Sequence, residues 1–192
     1  LQGPKIRTGP CEPPLKIDSG DLLSIVVAEI PGSGLRCGTT YAQLHKDVHV
    51  GARMFFADGT LSGHVESVHT DLEPPEVHVR MDRGGHLGSR KGINLPGVEV
   101  SAASLTEKDI QDLEIGVAAG ADCVAISFVR RAQDIVVLRE HLTRVGHPDI
   151  PIIAKIEKPE ALQNIQAILQ ESQGIMVARG DLGVEVPFEE LP

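Results

Sequence analysis

Hydrophobic and polar positions follow two different rhythms along this chain. Up to about Gly92 the apolar residues come in short runs or alternate with polar ones. Leu22-Leu23-Ser24-Ile25-Val26-Val27, Arg53-Met54-Phe55-Phe56-Ala57 and Glu76-Val77-His78-Val79-Arg80-Met81 have the two-residue period and β-branched content of strands. Turn formers separate them at Pro31-Gly32, Asp58-Gly59, Pro74-Pro75 and Gly84-Gly85. Leu61 to Val68, just after Asp58-Gly59, is placed to be a hairpin partner. The pattern predicts a small all-β domain over about 10–92.

From Thr106 onward the period lengthens. Thr106 opens a helix by capping its free N–H groups, Asp109 suits the positive end of the dipole, and Ile110, Leu113 and Val117 share a face. Cys123 to Phe128 is a short apolar strand, and Ala132 to Val145 a helix with Ile135, Leu138 and Leu142 as its stripe. Ile152 to Ile156 is a strand, Pro159 to Leu169 a helix with Pro in its first turn, and Ile175 to Ala178 a further strand. Apolar strands alternating with amphipathic helices predict an α/β fold with a covered parallel sheet. No Gly-rich phosphate loop follows any strand, as doubly wound sheets often have. Polar residues gather where strands end: Ser127 and Arg130, Lys155 and Glu157, Arg179 and Asp181. That favours a (β/α)8 barrel, whose active sites sit at the C-terminal ends of strands.

Composition narrows the classes. The chain has 192 residues and a net charge of −9, with no basic run and few aromatics. These features argue against nucleic-acid binding. No stretch approaches a membrane span, and three cysteines far apart in sequence (Cys11, Cys37, Cys123) suggest no disulfide frame. A reducing cytoplasm is the expected compartment.

The chemistry centres on Lys155 and Glu157, two apart on a strand and so on one side of it. A lysine in an Ile/Ala strand needs an anionic partner, either Glu157 or a bound substrate; a buried pair without function is the plainer reading. Asp181 lies in Arg179-Gly180-Asp181-Leu182-Gly183, and with Glu157 offers two hard oxygen ligands suited to Mg²⁺. Taken alone, Asp181 has a second, lesser reading as a helix cap before Leu182. His45 and His49 have a zinc-like spacing but no third ligand, so a solvated surface is expected. Arg130-Arg131 suit a phosphate or a helix entry equally. Glu185, Glu189 and Glu190 read as a solvated acidic turn.

Five stretches carry a family resemblance. They are Gly3 to Gly9, Gly88 to Gly97, Thr106 to Asp109, Ile153 to Ala161 and Gly174 to Glu185. In order and spacing the chain resembles pyruvate kinase. The resemblance implies a partial (β/α)8 barrel interrupted by a β-rich lid: a barrel strand segment over 1–9, the lid over 10–92 and incomplete barrel βα units over 93–192. It implies phosphoryl transfer from phosphoenolpyruvate to ADP, with Glu157 and Asp181 on Mg²⁺ (or Mn²⁺) and Lys155 on the phosphoryl group in flight. Backbone N–H groups of Gly180 and Asp181 would receive the substrate carboxylate. Arg7, Lys91 and Asp58 would meet the nucleotide and its metal, and Gly84, Gly85 and Gly88 would belong to the lid's hinge. Lys5 stands where many members have Glu, which resembles the K⁺-independent group; its ammonium would replace the monovalent cation. The family is also cytoplasmic and homo-oligomeric, usually a tetramer.

Only four barrel strands can be counted, against the eight that closure needs. The sequence therefore predicts an internal piece of a larger enzyme, with the family's Asn-x-Ser-His segment before Leu1 and its Thr-containing segment and regulatory domain after Pro192. The alternatives are a Mg-dependent aldolase or lyase acting on pyruvate enolates, and a non-catalytic fragment.

Overall fold

Alternation along the early strands buries one face of a sheet and leaves the other to polar groups. The computed structural model describes residues 1–187, 189 and 191. The chain divides into a unit over Lys5–Ser101 and a unit made of Leu1–Pro4 with Ala102–Pro192.

The Lys5–Ser101 unit contains β1 (Leu15–Ile17), β2 (Leu22–Val26), β3 (Arg36–Gly38), a one-turn α1 (Leu44–Asp47), β4 (Arg53–Phe56), β5 (Leu61–His69), β6 (Glu76–Arg83), β7 (Gly85–Leu87) and β8 (Ile93–Asn94). Six strands form one sheet in the order β3-β2-β6-β5-β4-β8, and β1 pairs with β7 separately. The hairpin of β4 and β5 is antiparallel, with Phe56 opposite Leu61. Leu23, Ile25, Met54, Phe56, Val65, Val77 and Val79 are all 0% exposed, so the buried face is continuous across the sheet. Gly63 sits at a bulge where a Cβ would come within 2.5 Å of the Arg80 carbonyl oxygen, so only glycine fits.

The polar face carries ion pairs: Arg80 on Glu66 at 2.6 Å and Arg36 on Glu76 at 2.7 Å. Burial works to raise the Glu76 carboxyl, but hydrogen bonds from Ser24 and Arg36 outweigh it and hold the group below the usual carboxylate range. The unit is wider than 10–92 because its ends pair with each other. Arg7 bridges Gly92, the Thr8 N–H donates to the Lys91 carbonyl at 2.8 Å, and the Ile93 N–H donates to Ile6 at 2.9 Å. Gly85 pairs with Ile17, and a Cβ on Gly84 would lie 2.3 Å from the Ile17 carbonyl oxygen. Cys11 and Cys37, remote in sequence, are buried neighbours. A hydrogen bond from Cys37 lowers the Cys11 thiol, while donating that bond and burial push Cys37 up.

The second unit alternates helix and strand: α2 (Glu107–Ala118), β9 (Val124–Ile126), α3 (Ala132–Arg144), β10 (Ile152–Ile156), α4 (Pro159–Gln163), α5 (Ile165–Glu171), β11 (Gly174–Val177) and α6 (Arg179–Glu185). The strands are parallel in the order β11-β10-β9, giving the expected α/β class. Leu1 extends the ladder beyond β9, its backbone nitrogen donating to the Ala125 carbonyl at 2.6 Å and its carbonyl accepting from the Ser127 N–H at 3.1 Å. Ile135, Leu138 and Leu142 of α3, all 0% exposed, cover the face formed by Ile126, Ile152, Ala154 and Ile156.

The helix expected over 159–169 is two helices. Asn164 leaves the helical conformation (φ −101, ψ 12), and its amide donates to the Arg130 carbonyl at 2.9 Å and to Glu160 at 3.0 Å.

Thr106 caps α2 in a capping box with Asp109. Asp109 is 2% exposed and accepts from the Thr106 N–H and hydroxyl, at 2.9 and 2.6 Å, and from the N–H groups of Gln2 and Gly3, at 2.8 and 3.2 Å. Burial alone would raise this carboxyl; the four donors outweigh it and hold the group low. Folding therefore gains stability from Asp109 above the ordinary Asp value and loses it as pH falls through the lowered folded value. Asp109→Asn is expected to cost about 2 kcal/mol, from the donors left unmatched in a buried place. A urea titration of the complete protein at neutral pH, repeated between pH 5 and pH 3, checks it. The variant should unfold earlier and show a flatter acid dependence than the parent.

Candidate functional site

Side chains on β10 alternate between two environments. Ile152, Ala154 and Ile156 go under the helices, while Ile153 and Lys155 face the other way and Glu157 continues that second row. Lys155 forms an ion pair with Glu157 and donates to the Ser127 hydroxyl at 3.1 Å. Glu157 is 4% exposed, and its other oxygen accepts from the Phe128 N–H at 3.1 Å. Phe128 follows β9 with φ 58, a left-handed conformation uncommon for a bulky residue. That turn aims its N–H at Glu157.

Parallel pairing brings the end of β11 beside the end of β10. Ile156 is in register with Val177, and the Ala178 N–H donates to the Ile156 carbonyl at 3.0 Å. α6 starts at once, with Asp181 exposed in its first turn. Asp181 is thus within the helix and is not its cap, which falls at Ala178. Nothing lies within 4 Å of a Cβ built on Gly180, so space is open beside that backbone.

Glu157 and Asp181 therefore come from the same end of two hydrogen-bonded strands. Both offer carboxylate oxygens, and each Glu157 oxygen meets one donor and keeps a further lone pair. This donor set suits Mg²⁺, which takes one or two carboxylates and keeps several waters. Among the described residues no three His, Cys, Asp or Glu side chains gather as a metal cluster.

In the Lys5–Ser101 unit, Arg7, Lys91 and Asp58 collect around Gly92. Arg7 bridges Gly92 and its guanidinium donates to the Arg90 carbonyl at 3.0 Å. Asp58, in the left-handed region at φ 56, has a carboxylate oxygen 3.9 Å from a Cβ built on Gly92. The Lys91 N–H donates to the Thr8 hydroxyl at 2.9 Å, and all three side chains are exposed. Lys5 is exposed, and its carbonyl accepts from the Thr40 hydroxyl at 3.0 Å.

Other expectations change. Glu185 is not solvated: its side chain is 2% exposed and ion-paired with Lys158. Glu189 is exposed, and Glu190 lies outside the described residues. His45 and His49 do not share a helix face, because α1 ends at Asp47. The Arg130 guanidinium donates to the Ala102 carbonyl at 2.8 Å, and Arg131 stands at the N-cap position of α3 with its backbone N–H donating to Asp134 at 3.2 Å. Lys158, Glu185 and the Phe128 backbone are parts of the site that spacing did not single out. The only sequence signal was a second lysine directly after the Lys155/Glu157 pair.

Comparison with known proteins gives one answer. The family model described as pyruvate kinase, barrel domain, matches residues 1–192. The chain is 45% identical to a pyruvate kinase of Mycobacterium intracellulare and 43% identical to one of Geobacillus stearothermophilus, over its full length in both cases. It spans 40% of the first relative's length and 32% of the second's. A crystal structure of a pyruvate kinase from Cryptosporidium parvum superposes with a TM-score of 0.87 at 33% identity, covering all of this chain and 40% of that one.

Proposed function

We propose, from a chain that belongs to the pyruvate kinase family, that the complete protein transfers a phosphoryl group from phosphoenolpyruvate to ADP, giving pyruvate and ATP in glycolysis. The observation that carries this is the buried Glu157 ion-paired to Lys155 at the end of β10, with Asp181 just past the end of β11. Such an arrangement at the C-terminal ends of parallel strands is where barrel enzymes build their sites. On this reading residues 1–9 and 93–192 are part of a (β/α)8 barrel and 10–92 a lid. The complete protein is a cytoplasmic homo-oligomer, tetrameric as in the family. Among the described residues no helix is long and apolar enough to cross a membrane.

Glu157 and Asp181 would hold Mg²⁺ or Mn²⁺. Such an ion, when bound, neutralises charge on phosphoryl oxygens. Lys155 puts an ammonium where charge spreads over the transferring group, and the Glu157 carboxylate and Ser127 hydroxyl fix its direction. Because Phe128 restrains Glu157, that ammonium is oriented before substrate arrives. The N–H groups of Gly180 and Asp181, in a first turn where helices leave such donors unpaired, receive the substrate carboxylate. Arg7 and Lys91 bind nucleotide phosphates, and Asp58 orients the nucleotide's own metal. Lys5 supplies the charge that K⁺ supplies in other members.

One assay tests both the reaction and the Lys5 reading. The complete protein, given phosphoenolpyruvate, ADP and Mg²⁺, should form ATP in a coupled assay. At fixed ionic strength its rate should change less than twofold between zero and 100 mM KCl. No ATP, or carbon–carbon cleavage instead, removes the kinase reading in favour of an enolate lyase. Many-fold activation by KCl removes the Lys5 assignment only.

A further inference from the structure

Lys158 directly follows Glu157 and makes two contacts. Its ammonium is ion-paired with Glu185, the last residue of α6; the side chains are 14% and 2% exposed. The same ammonium lies 5.6 Å from the centroid of the Phe128 ring, within cation–π range. Phe128 is the residue whose N–H holds Glu157, and Glu185 is one turn along α6 from Asp181. The Phe128 ring also lies 3.0 Å from a Cβ built on Gly3, itself in the left-handed region at φ 64, so a side chain at that position would press on the ring. One buried charge thus connects the element that orients Glu157 to the helix that carries Asp181.

A buried ion pair is weak support for stability, since desolvating both charges offsets their attraction. Its effect here is geometric. A hydrogen-bonded pair with few allowed arrangements fixes the offset between α6 and the end of β10 more narrowly than apolar contact would.

We propose that Lys158 is a positioning residue: its pairing with Glu185 and its contact with Phe128 set the spacing of the Glu157 and Asp181 carboxylates, and so the affinity for the divalent ion. This rests on the metal reading given above. Partners that orient metal ligands are typically worth about 10–100-fold in affinity.

The test uses the complete protein with Mn²⁺ alone as probe, read by electron paramagnetic resonance, together with urea unfolding of each variant. Lys158→Met should weaken Mn²⁺ binding about tenfold and Glu185→Gln several-fold, whereas Lys158→Arg should stay within threefold of the parent. A purely structural role would lower the urea midpoint and leave Mn²⁺ affinity of the folded protein unchanged. Should Lys158→Met fail to fold, Glu185→Gln decides. Mn²⁺ affinity within twofold of the parent in every folded variant of the pair overturns the proposal. Glu157→Gln separates the two layers. If it weakens Mn²⁺ tenfold while the Lys158 and Glu185 variants do not, positioning alone falls. If Glu157→Gln leaves Mn²⁺ binding intact, the metal reading falls and the proposal with it.

Discussion

If the proposed phosphoryl transfer is the reaction, replacing Lys155 by Met should lower turnover of the complete protein by about three orders of magnitude. Removing a single preorganised donor to developing charge typically costs about 10²–10³ in rate, and a full positive charge on a phosphoryl group in flight is worth about 10³ or more. Methionine keeps most of the stem, so the lost element is the ammonium. The sign on metal binding is opposite to intuition. Lys155 occupies one oxygen of Glu157, a carboxylate only 4% exposed. With the ammonium gone, that oxygen meets no cation, and Mn²⁺ affinity should be equal or tighter. Steady-state kinetics of Lys155→Met beside an Mn²⁺ titration would settle the matter: a loss in kcat under tenfold, or weakened Mn²⁺ with turnover retained, contradicts the assigned role.

The largest loss of stability is expected from Phe56→Ala. Phe56 is fully buried in β4, opposite Leu61 on β5 and Ile93 on β8. It therefore stands where the hairpin and the returning chain meet. Truncating a buried phenyl ring costs about 3–5 kcal/mol, part from lost transfer energy and part from the cavity. Amide exchange of β4, β5 and β8 should lose protection by the same amount. A change under 1 kcal/mol would mean that the site collapses around the smaller side chain.

Long periodic segments were legible in the sequence because one physical demand dominates them. The stripe Ile135, Leu138 and Leu142 has the spacing of a helix face, and the run Ile152 to Ile156 with Lys155 inside it has the length and composition of a strand whose lysine needs a polar partner. Single-turn and two-residue elements such as α1 and β8 were not legible, since their pairing is decided by distant partners. Asn164 broke a helix for a similar reason: its amide found the Arg130 carbonyl, more than 30 residues away in sequence. The site was legible where two groups share a strand, as with Lys155 and Glu157. It was illegible where a side chain's environment depends on folding back. Glu185 looks like part of an acidic, solvated turn until Lys158 is seen beneath it. Cys11 and Cys37 look unrelated until the ends of their unit are paired.

That pairing of ends has a bearing on how the chain folds. The Leu1–Ala125 contact closes a loop across 124 positions, and the Lys5–Ser101 unit accounts for most of them. With Arg7 against Gly92 and Thr8 against Lys91, the intervening unit, once formed, counts as only a few links of chain. The effective loop shrinks roughly fourfold, which at about 0.6 kcal/mol per doubling eases closure by roughly 1 kcal/mol. A neck of this kind makes the entropic cost of bringing Leu1 to Ala125 nearly independent of how long the unit between Lys5 and Ser101 is.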